Sequence, residues 1–149
     1  MPHTYSRILI HLIFSTKNRE PLIESGFRAK LLAYIAGIIR ESGGEAIGVN
    51  GTADHVHAFV VLPANRSVSE IVRLVKSNSS RWVHETHRRP GFGWQRGYAA
   101  FSVSQSSLPT VVKYVVTQEE HHQKRSFQEE YLGFLKRHGI AFDERFVWD

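Results

Sequence analysis

The stretch EAIGVNGTADHVHAFVVL, residues 45–62, decides how the rest of the chain is read. Residues 45–50 and 55–62 are two runs suited to strands, separated by Gly51-Thr52-Ala53-Asp54 and closed off by Pro63. That composition predicts a β-hairpin. A strand places residues i and i+2 on one face, so His55 and His57 project together while Val56 points the other way. Two imidazoles so placed can hold a metal, or they can simply be hydrogen-bonded. With nine histidines in 149 residues, chance alone produces one H-x-H about half the time, so the spacing does not choose. The run Phe59-Val60-Val61-Leu62 implies a central strand, where imidazoles need partners or they cost stability.

Upstream, YSRILIHLIFST (5–16) reads as a strand with Ile10 and Phe14 on one face. His11 can share the sheet face of His55, although nothing in the sequence makes it a ligand. TKNREP (16–21) interrupts this strand, and residues 24–42 then space Phe27, Leu31, Ile35 and Ile38 at helical intervals before the Gly43-Gly44 stop. Downstream, Ser67 to Glu70 is a capping box that opens a helix through Ile71, Leu74, Val75 and Trp82. HRRPGFGWQRG (87–97) reads as a loop and YAAFSVS (98–104) as a strand. A helix starts near Leu108, with Pro109 in its first turn, and SFQE (126–129) opens a last helix ending near Gly139. The order β-α-β-β-α-β followed by two helices predicts an α+β chain. Its expected core is a ferredoxin-like split βαβ antiparallel sheet, with an added C-terminal tyrosine-bearing helix and a short final helix. No repeat or linker divides residues 1–149, which read as one domain.

There is no cysteine, which removes disulfides and thiolate zinc sites and leaves imidazole, carboxylate and amide groups as metal ligands. The apolar stretch near the N-terminus is broken by Arg7 and His11 and is too short to span a bilayer, so a soluble intracellular protein is expected. The formal charge is +5 and the pI about 9.7, a balance that suits a polyanionic partner, nucleic acid first among them.

In VVKYVVTQEEHH (111–122), Tyr114 and Gln118 stand at i and i+4, one above the other on a helix. A core tyrosine is the commoner outcome. The other possibility is that the Gln118 oxygen joins the imidazoles of His55 and His57 around a divalent ion, Mg²⁺ or Mn²⁺, with the phenol beside it. All three ligands would be neutral, so the ion would keep its full double charge and polarise a phosphate. Lys113 and the ion could then help the phenol act as a nucleophile.

At these residues the chain resembles the HUH superfamily, and within it the single-tyrosine transposases of small insertion sequences and REP-associated elements. His55-Val56-His57 is similar to the histidine–hydrophobic–histidine signature, and Tyr114 with Gln118 to the tyrosine helix. The likeness runs on through HLIFSTKNREPLI (11–23), WQRGYAAFSVS (94–104) and HGIAFDERFVWD (138–149), and no motif position departs from it. The resemblance implies a metal-dependent enzyme that nicks single-stranded DNA bearing hairpin ends and transfers the strand. Tyr114 would attack a phosphodiester, leaving a 5′-phosphotyrosine and a free 3′-OH, while His55, His57 and Gln118 hold Mg²⁺ or Mn²⁺. It further implies a homodimer in a prokaryotic cytoplasm, at the nucleoid when bound to DNA, with no membrane partner and no small-molecule substrate.

Basic clusters supply the candidate DNA contacts: Lys17, Asn18 and Arg19; Arg73, Lys76 and Arg81, with Ser80 on the side of Arg73 and Lys76; Arg88, Arg89 and Arg96; and Lys113. Phe92 and Trp94 lie among them and could stack on unpaired bases. Asp54 could orient an imidazole or serve the turn. His121 and His122 read as polar groups at a helix end. Two other readings stay open: a domesticated relative that processes hairpins, and a ferredoxin-like binding module without chemistry. A zinc hydrolase would want a glutamate near the histidines, and GTADHVHAFVV contains none.

Overall fold

Alternation along the two central strands sorts the chain into two faces. In the computed structural model, which describes residues 3–116 and 126–149, the elements follow in the expected order. They are β1 (Ile8–Ser15), α1 (Ser25–Glu41), β2 (Glu45–Gly51), β3 (His55–Leu62), α2 (Val68–Thr86), β4 (Ala99–Val103), α3 (Leu108–Val116) and α4 (Phe127–Arg137). A single 3-10 turn, Lys17–Arg19, follows β1. The sheet is antiparallel in the order β2-β3-β1-β4, so the hairpin strand β3 lies between β2 and β1. This is the split βαβ arrangement.

The β1–β3 register pairs Ile13 with His57, His11 with Phe59 and Ser15 with His55. Cross-strand partners share a face, so both histidines of β3 and His11 of β1 lie on the same side of the sheet. The opposite side carries Leu12, Phe14, Val56, Ala58 and Val60. These pack against Phe27, Leu31, Ile35 and Ile39 of α1 and Ile71, Val72, Val75 and Val83 of α2. Each such side chain contributes roughly 1.5–3 kcal/mol by leaving water, so this layer is the main anchor of the fold.

The histidine side is covered by the two C-terminal helices. Leu108 and Val115 of α3 pack near Leu9 and Phe59, while Phe127, Tyr131, Phe134 and Leu135 of α4 pack near Ile13, Ala99 and Phe101. Local chemistry sets the element ends. The Ser67 hydroxyl accepts from the Glu70 amide, and the Glu70 carboxylate accepts from the Ser67 amide, so α2 begins on the expected capping box. Ser126 caps α4 by accepting from the Glu129 amide. The left-handed backbone of Gly43 and Gly139 terminates α1 and α4. At the hairpin, a Cβ on Gly51 would lie 2.8 Å from the His55 carbonyl oxygen, so only glycine fits where β2 ends beside the first histidine.

Candidate active site

His55 opens β3 with its Nδ1 2.8 Å from Oδ1 of Asp54 and 2.9 Å from the Thr52 hydroxyl, which itself donates to Asp54. An ionised carboxylate only accepts, so the His55 Nδ1–H donates to it. Asp54 is fixed in turn, because its carbonyl accepts from the amide and the hydroxyl of Thr16 at the end of β1. Asp54 both contacts an imidazole and closes the turn, the two roles its position left open.

His57 lies one pleat further along, and its Nδ1 is 2.8 Å from Nε2 of His11. His11 stacks on Phe59 at 4.5 Å between ring centres and meets Phe134 edge-on at 5.1 Å. Burial first, then the neighbouring His57 and His138, pushes its pKa down to about 2, so it is neutral at pH 7.

On the helix side, Phe127 stacks on His55 at 4.0 Å, and Oε1 of Glu130 lies 3.3 Å from Nε2 of His57. Sequence reasoning missed Glu130. The signal was present, because Phe127, Tyr131 and Phe134 form the apolar stripe of α4 and Glu130 falls within it. A carboxylate on a core stripe needs a polar partner. Glu130 places an acidic group 3.3 Å from the imidazole of His57.

Both imidazoles have Nδ1 in contact with a neighbouring side chain, Asp54 for His55 and His11 for His57, as metal-binding histidines commonly do. The donor types fit a divalent ion that accepts nitrogen and oxygen. Among the described residues, no three His, Asp or Glu side chains enclose an ion by themselves. The third ligand expected from sequence, Gln118, lies outside the described residues, as do His121 and His122.

Tyr114 sits on α3, above the histidine face. Asn50, the cross-strand partner of His57, donates its side-chain amide to the Val115 carbonyl at 3.0 Å and so ties α3 to the sheet one residue past the tyrosine. The half-buried Tyr114 ring meets Phe134 edge-on at 6.2 Å. Phe134 therefore links the tyrosine to the His11–His57 pair.

The basic residues separate into groups. Arg73, Lys76, Ser80, Arg96 and Tyr98 line a groove of about 490 Å³ between α2 and the 94–98 segment. Lys17, Asn18, Arg96 and Trp148 line a second groove of about 470 Å³. Trp94, Gln95 and Arg96 border both. Trp148 faces Phe127 at 6.2 Å, which brings the second groove within two rings of His55, and the Arg19 guanidinium lies 4.8 Å above the Trp148 ring. Lys76 turns inward and donates to the carbonyls of Gln95 and Gly97, while burial lowers its pKa to about 8. Arg81 donates to Asn78, and Arg89 forms a two-pronged pair with Glu24. Arg81, Arg88, Arg89 and Lys113 line neither groove. Of the two aromatic residues of the Arg-rich loop, Phe92 joins the core, and Trp94 packs partly buried against it while bordering both grooves. Phe92 is buried, and Trp94 meets Phe14 edge-on at 4.9 Å while donating its indole N–H to Ser79. Tyr98, exposed on the first groove, lies there beside Trp94.

The sheet order thus sets a histidine pair on a central strand, with the tyrosine-bearing α3 above it. Residues 4–118 match the family described as "Transposase IS200 like", and the chain belongs to that family. The membership agrees with the resemblance to single-tyrosine HUH transposases. Two solved structures share the fold. A protein from Deinococcus radiodurans R1, provisionally assigned as a transposase, superposes with a TM-score of 0.62 at 21% identity, over 79% of this chain and 95% of that one. A REP-associated tyrosine transposase bound to a REP hairpin gives 0.61 at 13% identity, over 82% of this chain and 73% of that one. No curated protein matches the sequence. Among the described residues, no helix is long and apolar enough to cross a membrane.

Proposed function

We propose that this chain is a metal-dependent transposase that nicks single-stranded DNA at hairpin-bearing ends and joins the strands again, with Tyr114 as nucleophile. The observation that carries this is the convergence on one sheet face of two imidazoles, each with Nδ1 held by a neighbouring side chain, beneath the helix that bears Tyr114. His55 and His57, with Gln118, would hold Mg²⁺ or Mn²⁺. A bound ion supplies charge stabilisation to a phosphate oxygen, worth several kcal/mol in such sites. The Tyr114 oxygen attacks phosphorus, its proton is lost to solvent, and the P–O3′ bond breaks. The 3′-oxygen takes up a proton, which leaves a 5′-phosphotyrosine. Because the linkage keeps the bond energy of the phosphodiester, a later 3′-OH can reverse the step.

The single strand follows the two grooves around Arg96, with Lys17, Asn18 and Arg73 on its phosphates. Arg19, Arg81, Arg88, Arg89 and Lys113 are the further basic groups of this DNA-binding reading, and Lys76 supports the segment between the grooves. The working unit is a homodimer in the cytoplasm.

The test uses end-labelled single-stranded DNA carrying a hairpin from the flanks of the encoding locus, incubated with Mg²⁺ or Mn²⁺ and resolved under denaturing conditions. A protein band carrying DNA that disappears in Tyr114→Phe, with binding retained, is the expected result. Binding without any covalent band would instead indicate a non-catalytic hairpin binder.

A further inference from the structure

His11 is 1% exposed and takes no part in the cleavage step, yet its Nε2 is directed at the Nδ1 of His57. Each neutral imidazole carries one N–H, so a 2.8 Å contact between two ring nitrogens has one donor and one acceptor. If His11 donates, the proton of His57 resides on Nε2, where it faces Glu130 and blocks a ligand bond. If His57 donates, its Nε2 carries no proton. The pair therefore has two proton arrangements, and only the second admits a metal ion.

We propose that His11 is a positioning residue that accepts the Nδ1 proton of His57 and so holds His57 in the tautomer whose Nε2 can bind a divalent ion. This rests on the reading of His55 and His57 as metal ligands. His55 obtains the same service from Asp54, a carboxylate, whereas His57 obtains it from a second imidazole. Nε2 of His57 faces Oε1 of Glu130 at 3.3 Å, and a bound divalent ion would occupy the position of any proton there. In that state His57 would donate its Nδ1 proton to His11 Nε2, and the proton of His11 would reside on its own Nδ1. His11 lines a cavity of about 340 Å³ with Ser102, Ser104, Ser107 and His138.

The experiment is Mn²⁺ binding to the full-length protein without DNA, read from the free-ion electron paramagnetic resonance signal. The proteins are wild type, His57→Ala, His11→Phe and His11→Gln, each checked for folding by circular dichroism. The phenylalanine fills the ring slot between Phe59 and Phe134 but accepts no proton, whereas the glutamine oxygen can. The expected result is roughly 10- to 100-fold weaker binding in His11→Phe, largely restored in His11→Gln. Wild-type affinity in His11→Phe would overturn the role of His11 and leave the metal site standing. Equal binding by wild type and His57→Ala would overturn the metal site, and this proposal with it. Should His11→Phe not fold, ¹⁵N imidazole spectra of the wild type with Mg²⁺ decide the matter. A protonated His57 Nδ1 supports the proposal, and a bare one overturns it.

Discussion

Nε2 of His57 lies 3.3 Å from Oε1 of Glu130, and neither side chain is more than 1% exposed. A carboxylate is costly to enclose, and α4 brings this one to the atom that a metal ion would need. Glu130→Gln keeps the shape of the side chain and removes its charge. Mn²⁺ affinity should fall about 10-fold or more in that variant, while binding of hairpin DNA stays near wild type. Titration calorimetry with Mn²⁺ checks the first expectation and a gel-shift assay the second. Unchanged metal affinity would leave Glu130 with a packing role only.

How much of this was legible in the sequence depended on whether the signal was local. Strand β3 has the bounds the sequence implied, and β1 and α1 differ from theirs by a few residues at the ends, because periodicity, caps and turn residues act over a few positions. The pairing of His55 with His57 followed from strand geometry alone. Their partners did not. His11 is 46 residues from His57 in sequence and Glu130 is 73, and only the sheet register and the docking of α4 bring them together. Phe92 and Trp94 looked like stacking platforms because a Gly- and Arg-rich loop surrounds them. The Thr16–Trp94 bridge pulls that loop onto the sheet edge, which buries Phe92 in the core and sets Trp94 partly buried against it.

Lys76 shows the same limit from the charge side. It stands on the helix face that carries Arg73 and Ser80, as the spacing implied, yet its ammonium donates to the carbonyls of Gln95 and Gly97. Lys76→Met removes charge-assisted hydrogen bonds from a half-exposed site. After allowance for solvent screening, a loss of about 1–2 kcal/mol is expected. Urea denaturation measures it, and a variant as stable as wild type would mean that these bonds do not hold the 95–97 segment.

Arg96 borders both grooves, so it is the guanidinium best placed to follow a strand from one to the other. Arg96→Ala should weaken single-stranded DNA binding and reduce the dependence of log K on log salt by about 0.7, the change for one lost phosphate contact. Arg89→Ala should change the slope less, since Arg89 is already paired with Glu24. Binding isotherms at several salt concentrations separate the two. Equal slopes for Arg96→Ala and wild type would remove Arg96 from the DNA path.

Stability should also carry the signature of His11 as the pH falls. Its folded pKa is lowered from 6.5 to about 2, first by burial and then by His57 and His138. Between those values the unfolded chain takes up a proton at this residue and the native chain does not. The unfolding free energy of the metal-free protein therefore decreases as pH drops below about 6.5, by at most about 1.4 kcal/mol per pH unit from this one group. The stabilising contribution is whole above the unfolded value and is lost progressively on acidification. In His11→Phe the group is gone, so its stability curve should be flatter between about pH 6.5 and pH 5 when both proteins are unfolded with urea in the presence of a chelator. Parallel curves for the two proteins would show that His11 takes up its proton in the folded state as readily as in the unfolded chain.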